Sequence, residues 1–214
     1  MTIELKKLQN GSDIRGIALS KGDDQANLTP IVAAAIGQSF TYWLSDRLGA
    51  EPSALKISVG HDSRITSGSL KAGFIHGINL AGASAYDCGL ASTPAMFMST
   101  VMDEFRCSGS VMITASHLPY NRNGFKFFTP AGGLEKEDIT ALLVKAEQLL
   151  SDDLVPDTRS TVMPLMEAYS AFLREMILKG INGNDSEVPL SGMKIIVDAG
   201  NGAAGFFAEK VLLP

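Results

Sequence analysis

One loop of this sequence gathers side chains that could transfer a phosphoryl group. Residues 114–126 read TASHLPYNRNGFK and place a hydroxyl, an imidazole and two cations close together, at Ser116, His117, Arg122 and Lys126. A serine hydroxyl becomes an effective nucleophile when a neighbour takes its proton or when cations stabilise the developing charge. We therefore predict group transfer through Ser116, with the imidazole and the cations supporting it.

The residues before this loop predict its place in the fold. Ser110 to Thr114 is an apolar, β-branched run typical of a buried strand, and polar residues with Pro119 end it abruptly. In open α/β sheets, ligands bind beyond the carboxyl ends of the strands. We therefore expect Ser116 to lie at the binding edge of a sheet.

The remaining elements predict an α/β fold. Thr29 and Pro30 have the residue types of a helix N-cap and first helical position. Small residues in the next predicted helix would allow it to pack closely on a sheet. The order of elements predicts a mixed, largely parallel sheet covered by helices. Helices are predicted at 30–48, 67–81, 94–102, 135–150 and 165–179, and strands at 56–59, 83–87, 109–114 and 194–197.

The predicted domain boundary follows residue 155. Residues 151–164 contain two prolines and several charges, a composition typical of a linker. We assign 1–155 to a first α/β/α domain that carries the Ser116 loop. We assign 156–214 to the start of a second α/β domain, which opens with the predicted strand at 194–197.

Composition and charge argue against several classes of protein. The chain has 45% hydrophobic and 19% charged residues, and it contains no apolar run long enough to span a membrane. Its net charge of −5 argues against general nucleic-acid binding. The start lacks an apolar signal core, so we expect a cytoplasmic protein, with an organellar location open if a targeting segment precedes Met1. Cys88 and Cys107 are predicted to be reduced core thiols.

Against this acidic background, cationic side chains are concentrated in the motif loops. A cationic pocket on an acidic protein suits a small phosphorylated substrate, because forked or point-charge donors bind phosphate oxygens. The side chains that we expect in this pocket are Arg15, Arg64, His117, Arg122 and Lys126.

Four segments, in order along the chain, carry a resemblance to a known family. They are GSDIRG at 11–16, VGHDSR at 59–64, the Ser116 loop, and IIVDAGNGA at 195–203. Together they resemble the alpha-D-phosphohexomutases, which include phosphoglucomutase, phosphomannomutase and phosphoglucosamine mutase. The loop departs from the family pattern at Leu118, where an Asn is common, and at Arg122, which is an extra residue.

The resemblance implies an intramolecular phosphotransferase that interconverts hexose 1-phosphate and hexose 6-phosphate. A phosphate on Ser116 passes to the sugar, the bisphosphorylated sugar turns round, and its other phosphate returns to Ser116. Lys126 is implied as the general acid/base, and His117 as a catalytic or phosphate-contacting group. Phosphate contacts are expected from Arg15, His117, Lys126, Arg122 and Arg64, although Asp62 and Arg64 could instead fix a turn through a local ion pair.

The resemblance also implies Mg²⁺ and a hexose 1,6-bisphosphate as activator and intermediate. In the family the metal binds the phosphoserine, here Ser116, and three aspartates of a loop in the second domain. This sequence has no such loop. We therefore expect the chain to be an incomplete mutase without steady turnover on its own.

Two other classes of function stay open at this stage. A serine hydrolase could use Ser116 and His117, although the G-x-S-x-G motif is absent and adjacent residues seldom point at each other. A non-catalytic phosphosugar-binding or regulatory module would keep the basic loop without the metal ligands. The sequence leaves glucose, mannose and glucosamine phosphates open as substrates, and it does not indicate an oligomeric state.

Overall fold

The computed structural model describes residues 4–151, 157–181 and 190–213. The predicted boundary between residues 155 and 156 lies outside these ranges, and it stays a prediction. Among the described residues, no helix is long and apolar enough to cross a membrane.

The described residues form a mixed eight-stranded sheet covered by helices, which confirms the predicted α/β class. The sheet is not largely parallel as expected, because four of its seven strand pairings are antiparallel. Its order is β1-β2-β6-β5-β3-β4-β8, with β7 paired to β6. The strands β5, β3, β4 and β8 run parallel, whereas β1, β2, β6 and β7 pair antiparallel. The strands are β1 Gln9–Asn10, β2 Asp13–Ile17, β3 Lys56–His61, β4 Ser84–Leu90, β5 Gly109–Ile113, β6 Arg122–Thr129, β7 Gly132–Gly133 and β8 Thr161–Val162.

Within the described ranges, five longer helices cover the sheet at nearly the predicted positions. The first begins as predicted, because the Thr29 hydroxyl accepts a hydrogen bond from the Val32 amide at 3.3 Å and Pro30 follows it. The helices are α1 Pro30–Leu48, α2 Ser67–Leu80, α3 Thr93–Val101, α4 Lys136–Leu149 and α5 Leu165–Gly180, with short turns at Leu5–Leu8, Pro52–Ala54 and Phe207–Leu212.

Strand order decides which face each helix covers. From β3 the chain crosses through α2 to β4, and from β4 it returns through α3 to β5 on the far side of β3. Right-handed crossovers in opposite directions place their helices on opposite faces of a sheet. Accordingly α1, α2 and α4 cover one core and α3 and α5 cover the other. Cys88 and Cys107 lie buried and free in the second core, as predicted.

Gly73 and Gly77 of α2 pack against a different element from the predicted one. Instead of lying on the sheet, they face α1: a Cβ added at Gly73 or Gly77 would lie 2.3 Å or 2.0 Å from an α1 carbonyl oxygen. Gly37 of α1 approaches α2 as closely, with 2.4 Å to the Phe74 carbonyl oxygen. The two helices therefore cross at glycine contacts, which lets their backbones approach.

Three further sequence expectations need correction. Residues 122–126, assigned to the loop, form the start of β6 and pair with β2 and β5. Within the predicted linker, β8 pairs with β4 and extends the first sheet. Residues 194–197 form no strand, and Ile196 is 87% exposed. The apolar pattern there is typical of a buried strand. No described strand lies beside it, however, to supply hydrogen bonds and cover its side chains.

Candidate active site

Ser116 lies where the sequence placed it, just past the carboxyl end of β5. The loops that follow β3, β4 and β5 meet at this edge and line a cavity of about 600 Å³. Ser116 and Arg64 line it from one side, and the turn at 200–204 contributes Gly200, Gly202 and two alanines. The N-termini of α2 and α3 lie at the same edge, and their positive dipole ends favour anions.

The backbone of Ser116 is in the left-handed region, at φ +55°. For a residue with a Cβ this conformation costs about 1–3 kcal/mol and persists only where neighbours impose it. The Ser116 amide donates to the Thr114 hydroxyl at 3.0 Å, and the Ser116 carbonyl accepts from Arg64 at 2.8 Å. Ser116 is exposed, so solvent and small molecules can reach the hydroxyl on this fixed backbone.

Asp62 connects the loop after β3 to the Ser116 loop. One carboxylate oxygen accepts from the Thr114 hydroxyl at 2.7 Å, and the other accepts from the Ser67 hydroxyl at 2.9 Å. Asp62 also forms an ion pair with Arg64 at 3.2 Å, and their side chains are only 17% and 12% exposed. The local ion pair considered from the sequence is therefore present.

His117 contacts Ser116 weakly. Its Nδ1 lies 3.4 Å from the Ser116 Oγ, which is long for a bond between a hydroxyl and a nitrogen. His117 is exposed, and no residue in the described ranges orients its other ring nitrogen. A hydrolase needs a base held by a third group, so this pair lacks the geometry of a hydrolytic triad.

Asp13 brings Arg15 and Lys126 together. Because Ile14 points into the first core, Asp13 and Arg15 lie on the other face of β2. One Asp13 oxygen accepts from Lys126 Nζ at 2.6 Å and the other from Arg15 at 2.9 Å. Arg15 also donates to the Ala115 carbonyl at 2.9 Å, which ties this cluster to the Ser116 loop. The buried Arg15 Nε has no partner among the described residues.

Asn123 and Gly124 fix the point where the loop enters β6. The fully buried Asn123 amide donates to the Thr66 hydroxyl at 3.0 Å and the Ser67 hydroxyl at 3.2 Å. Its oxygen accepts from the Gly124 amide at 2.9 Å. A Cβ at Gly124 would lie 2.3 Å from the Ile14 carbonyl oxygen, so only glycine lets β2 approach this closely.

Arg122 differs from the other cationic side chains of this region in its contacts. Its carbonyl accepts from Arg64 at 3.0 Å, but its guanidinium makes no hydrogen bond or ion pair with residues in the described parts of the chain. Two carboxylates, Asp13 and Asp62, are paired with three of the four cationic side chains here. The loop region therefore keeps excess positive charge, which favours a phosphate.

Residues 6–149 match the family model described as phosphoglucomutase/phosphomannomutase, alpha/beta/alpha domain I. The chain belongs to this family. It corresponds to the N-terminal region of the alpha-D-phosphohexomutases, as the four sequence segments predicted.

The similar curated proteins are longer than this chain. A phosphoglucosamine mutase from Carboxydothermus hydrogenoformans is 28% identical over 207 residues, which cover 96% of this chain and 43% of the relative. One from Streptococcus pneumoniae is 30% identical over 195 residues, which cover 89% of this chain and 40% of the relative. The chain thus spans less than half the length of these relatives.

Solved structures show the same fold. A phosphoglucomutase/phosphomannomutase family protein from Burkholderia thailandensis matches 77% of this chain and 34% of its own, with a TM-score of 0.60 at 20% identity. The phosphoprotein pp63/parafusin, a phosphoglucomutase from Paramecium, matches 94% of this chain and 40% of its own, with a TM-score of 0.62 at 18% identity.

The described part of this phosphohexomutase chain does not by itself fit a magnesium ion. Mg²⁺ prefers octahedral oxygen coordination, and the described residues contain no group of three His, Cys, Asp or Glu side chains that could hold a metal. Both oxygens of Asp62, which shares the Thr114 hydroxyl with Ser116, already accept hydrogen bonds.

Sequence reasoning missed Asp13 and Thr114 as site residues. Asp13 accepts from both Arg15 and Lys126, and Thr114 links the Ser116 amide to Asp62. One signal for Asp13 was present: in a strand, residues two apart share a face, so the Asp-Ile-Arg order places the two charges side by side. For Thr114, the bond to the Ser116 amide two residues on is a local one that threonine can make in a turn, but nothing local indicated its bond to Asp62, 52 residues away.

Proposed function

We propose that this chain is the phosphoserine-bearing part of a phosphohexomutase, and that Ser116 carries the phosphate in the interconversion of hexose 1-phosphate and hexose 6-phosphate. Its relatives include two phosphoglucosamine mutases, so glucosamine phosphate is the first sugar to test, beside glucose and mannose phosphates. Mg²⁺, a hexose 1,6-bisphosphate and a cytoplasmic location belong to the same proposal.

The observation that carries this proposal is the geometry of Ser116. An exposed hydroxyl projects from a backbone held in a costly conformation, at the edge where ligands bind in α/β sheets. A nucleophile benefits from such a fixed backbone, because a fixed position keeps the reacting atoms aligned.

Each transfer moves one phosphoryl group between two oxygens. As the sugar hydroxyl attacks, its oxygen bonds to phosphorus and the bond from phosphorus to Ser116 Oγ breaks. The proton lost by the sugar hydroxyl is passed to Ser116 Oγ, which leaves Ser116 as a free hydroxyl. Ser116 regains the other phosphate from the bisphosphorylated sugar in the second transfer. We assign proton transfer to Lys126, which contacts the Asp13 carboxylate, and we assign phosphate binding to Arg122 and His117.

Mass spectrometry of the protein at its natural length tests this function. We expect a phosphate on Ser116 after incubation with glucose 1,6-bisphosphate and Mg²⁺, and no such phosphate in Ser116→Ala. Mutase activity should disappear in that variant while its thermal unfolding stays unchanged. Binding of hexose phosphates without any phosphate on Ser116 would favour a phosphosugar-binding module instead.

A further inference from the structure

Arg64 uses every donor that it has within the protein. Its Nε donates to Asp62 at 3.2 Å, one terminal nitrogen donates to the carbonyls of Pro119 and Arg122 at 2.8 and 3.0 Å, and the other donates to those of Ser116 and Leu118, both at 2.8 Å. A guanidinium has five N–H groups and no acceptor. A phosphate could therefore bind Arg64 only by displacing one of these contacts.

The four carbonyls bound by Arg64 all belong to the Ser116 loop and its entry into β6. All four carbonyls accept from the planar Arg64 guanidinium. Because Arg64 lies in the loop after β3, these hydrogen bonds fix the position of the Ser116 loop relative to the end of β3. A second contact acts from the same side, because Asp62 holds the Thr114 hydroxyl, and that hydroxyl accepts from the Ser116 amide. Both peptide groups of Ser116 are thus anchored to the loop after β3.

We propose that Arg64 is a positioning residue that keeps Ser116 in its left-handed conformation through hydrogen bonds to backbone carbonyls. Thr114 provides the second anchoring contact, through the Ser116 amide. Arg64 is not a phosphate ligand. The inference deepens the proposed function, since it names what keeps the phosphate-carrying serine in place. It also replaces the sequence expectation that Arg64 contacts phosphate.

Arg64→Lys separates the two roles. Lysine keeps the positive charge but presents its donors from one point, so it cannot reach four carbonyls and a carboxylate in a planar fork. If Arg64 bound phosphate by its charge, lysine would partly replace it. If Arg64 positions the loop through its forked donors, lysine cannot replace it.

The first measurement is amide hydrogen exchange in this chain, which needs no activity. The reporters are the amides of Ser116, Leu118 and Arg122, each of which donates a hydrogen bond inside the loop. We expect exchange at these amides to rise by about tenfold or more in Arg64→Lys, because local opening governs protection. The matched control, Arg159→Lys, changes a side chain that is 88% exposed and should leave loop exchange unchanged.

The second measurement is steady-state kinetics of the natural-length protein. A misplaced nucleophile slows chemistry without weakening substrate binding, so we expect kcat to fall about 100-fold in Arg64→Lys with little change in KM. Arg122→Lys should instead raise KM. A raised KM at unchanged kcat in Arg64→Lys would show that Arg64 binds substrate and would overturn the proposal.

The two measurements distinguish the failure of each idea. Without Ser116 phosphate or mutase activity in the wild type, the proposed function fails, while hydrogen exchange still tests the positioning role. Unchanged loop exchange in Arg64→Lys overturns the positioning role whatever the kinetics show. If that variant does not fold, Thr114→Val removes the other anchoring contact with almost no change of shape. The reporters are then the amides of Leu118 and Arg122, whose own hydrogen bonds this variant keeps, and unchanged exchange there would have the same meaning.

Discussion

Replacing Gly124 by alanine should disturb both the stability of the sheet and the Ser116 loop. Gly124 lies in β6 opposite Arg15 of β2. An added Cβ would lie 2.3 Å from the Ile14 carbonyl oxygen, 3.0 Å from the Thr114 carbonyl oxygen and 3.1 Å from the Arg15 Cγ. Two of these three atoms belong to backbone on either side, so no side-chain rotation can make the required space.

The expected cost follows from that crowding. Overpacking a well-filled site costs about 1–3 kcal/mol, and the backbone contacts place Gly124→Ala toward the upper end. In a protein of this size each kcal/mol lowers the unfolding midpoint by about 2–4 °C, so we expect a fall of roughly 6–12 °C. Because β2 must move, Arg15 should also lose its hydrogen bond to the Ala115 carbonyl, and phosphorylation of Ser116 should slow.

Thermal unfolding by circular dichroism, with Ser116 phosphate followed by intact mass, would measure both effects. The matched control is Gly133→Ala in the neighbouring strand, where the nearest atom to an added Cβ is the Phe127 carbonyl oxygen at 3.8 Å. That variant should unfold within about 2 °C of the wild type, as expected for a change of less than about 0.5 kcal/mol. Equal midpoints for the two variants would refute the reasoning from close approach.

Three further predictions address the helices, the acid/base residue and the thiols. Gly77→Ala should lower the unfolding midpoint, because its Cβ would lie 2.0 Å from an α1 carbonyl oxygen, whereas Gly68→Ala in the same helix, with no atom within 4 Å, should raise it slightly. In the natural-length protein, Lys126→Ala should lower turnover by about 10²–10⁴-fold with the fold retained, and unchanged turnover would remove its assigned role. Burial raises the pKa of the Cys88 and Cys107 thiols, so both should resist a thiol reagent in the native chain at pH 8 and react after denaturation. Since unfolded thiols ionise near their ordinary value of 9.0 and the buried ones do not, the free energy of unfolding should fall as the pH rises above that value, as urea titrations would show.

Local patterns predicted the five longer helices and the three strands β3, β4 and β5. The start of α1 was readable because Thr29 and Pro30 satisfy the requirements of a helix N-terminus within a few residues. The buried strand before Ser116 was readable because its side chains are apolar on both faces. Both features depend on neighbours in sequence, which is the range over which periodicity and capping act.

Strand pairing was beyond that range. Nothing local indicates that β2 lies beside β6, yet this pairing brings Asp13 to Lys126, 113 positions along the chain. The small residues of α2 could equally have packed on the sheet, and only the crossing with α1 decided their contact. The apolar run at 194–197 shows the converse, because a strand pattern forms no strand where no described strand pairs with it.

The sequence by itself determined the chemistry available to this protein: an exposed-loop serine after a buried strand, an adjacent imidazole, and cations nearby. Tertiary structure decided how those cations are used. Arg64 and Arg122 look alike in the sequence, but the Arg64 guanidinium donates to four loop carbonyls, whereas the Arg122 guanidinium has no hydrogen bond or ion pair with the part of the chain that the structure describes. The physical reason is that a hydrogen-bond donor is committed by whichever acceptor the fold places within about 3 Å, and sheet pairing and loop packing set those distances.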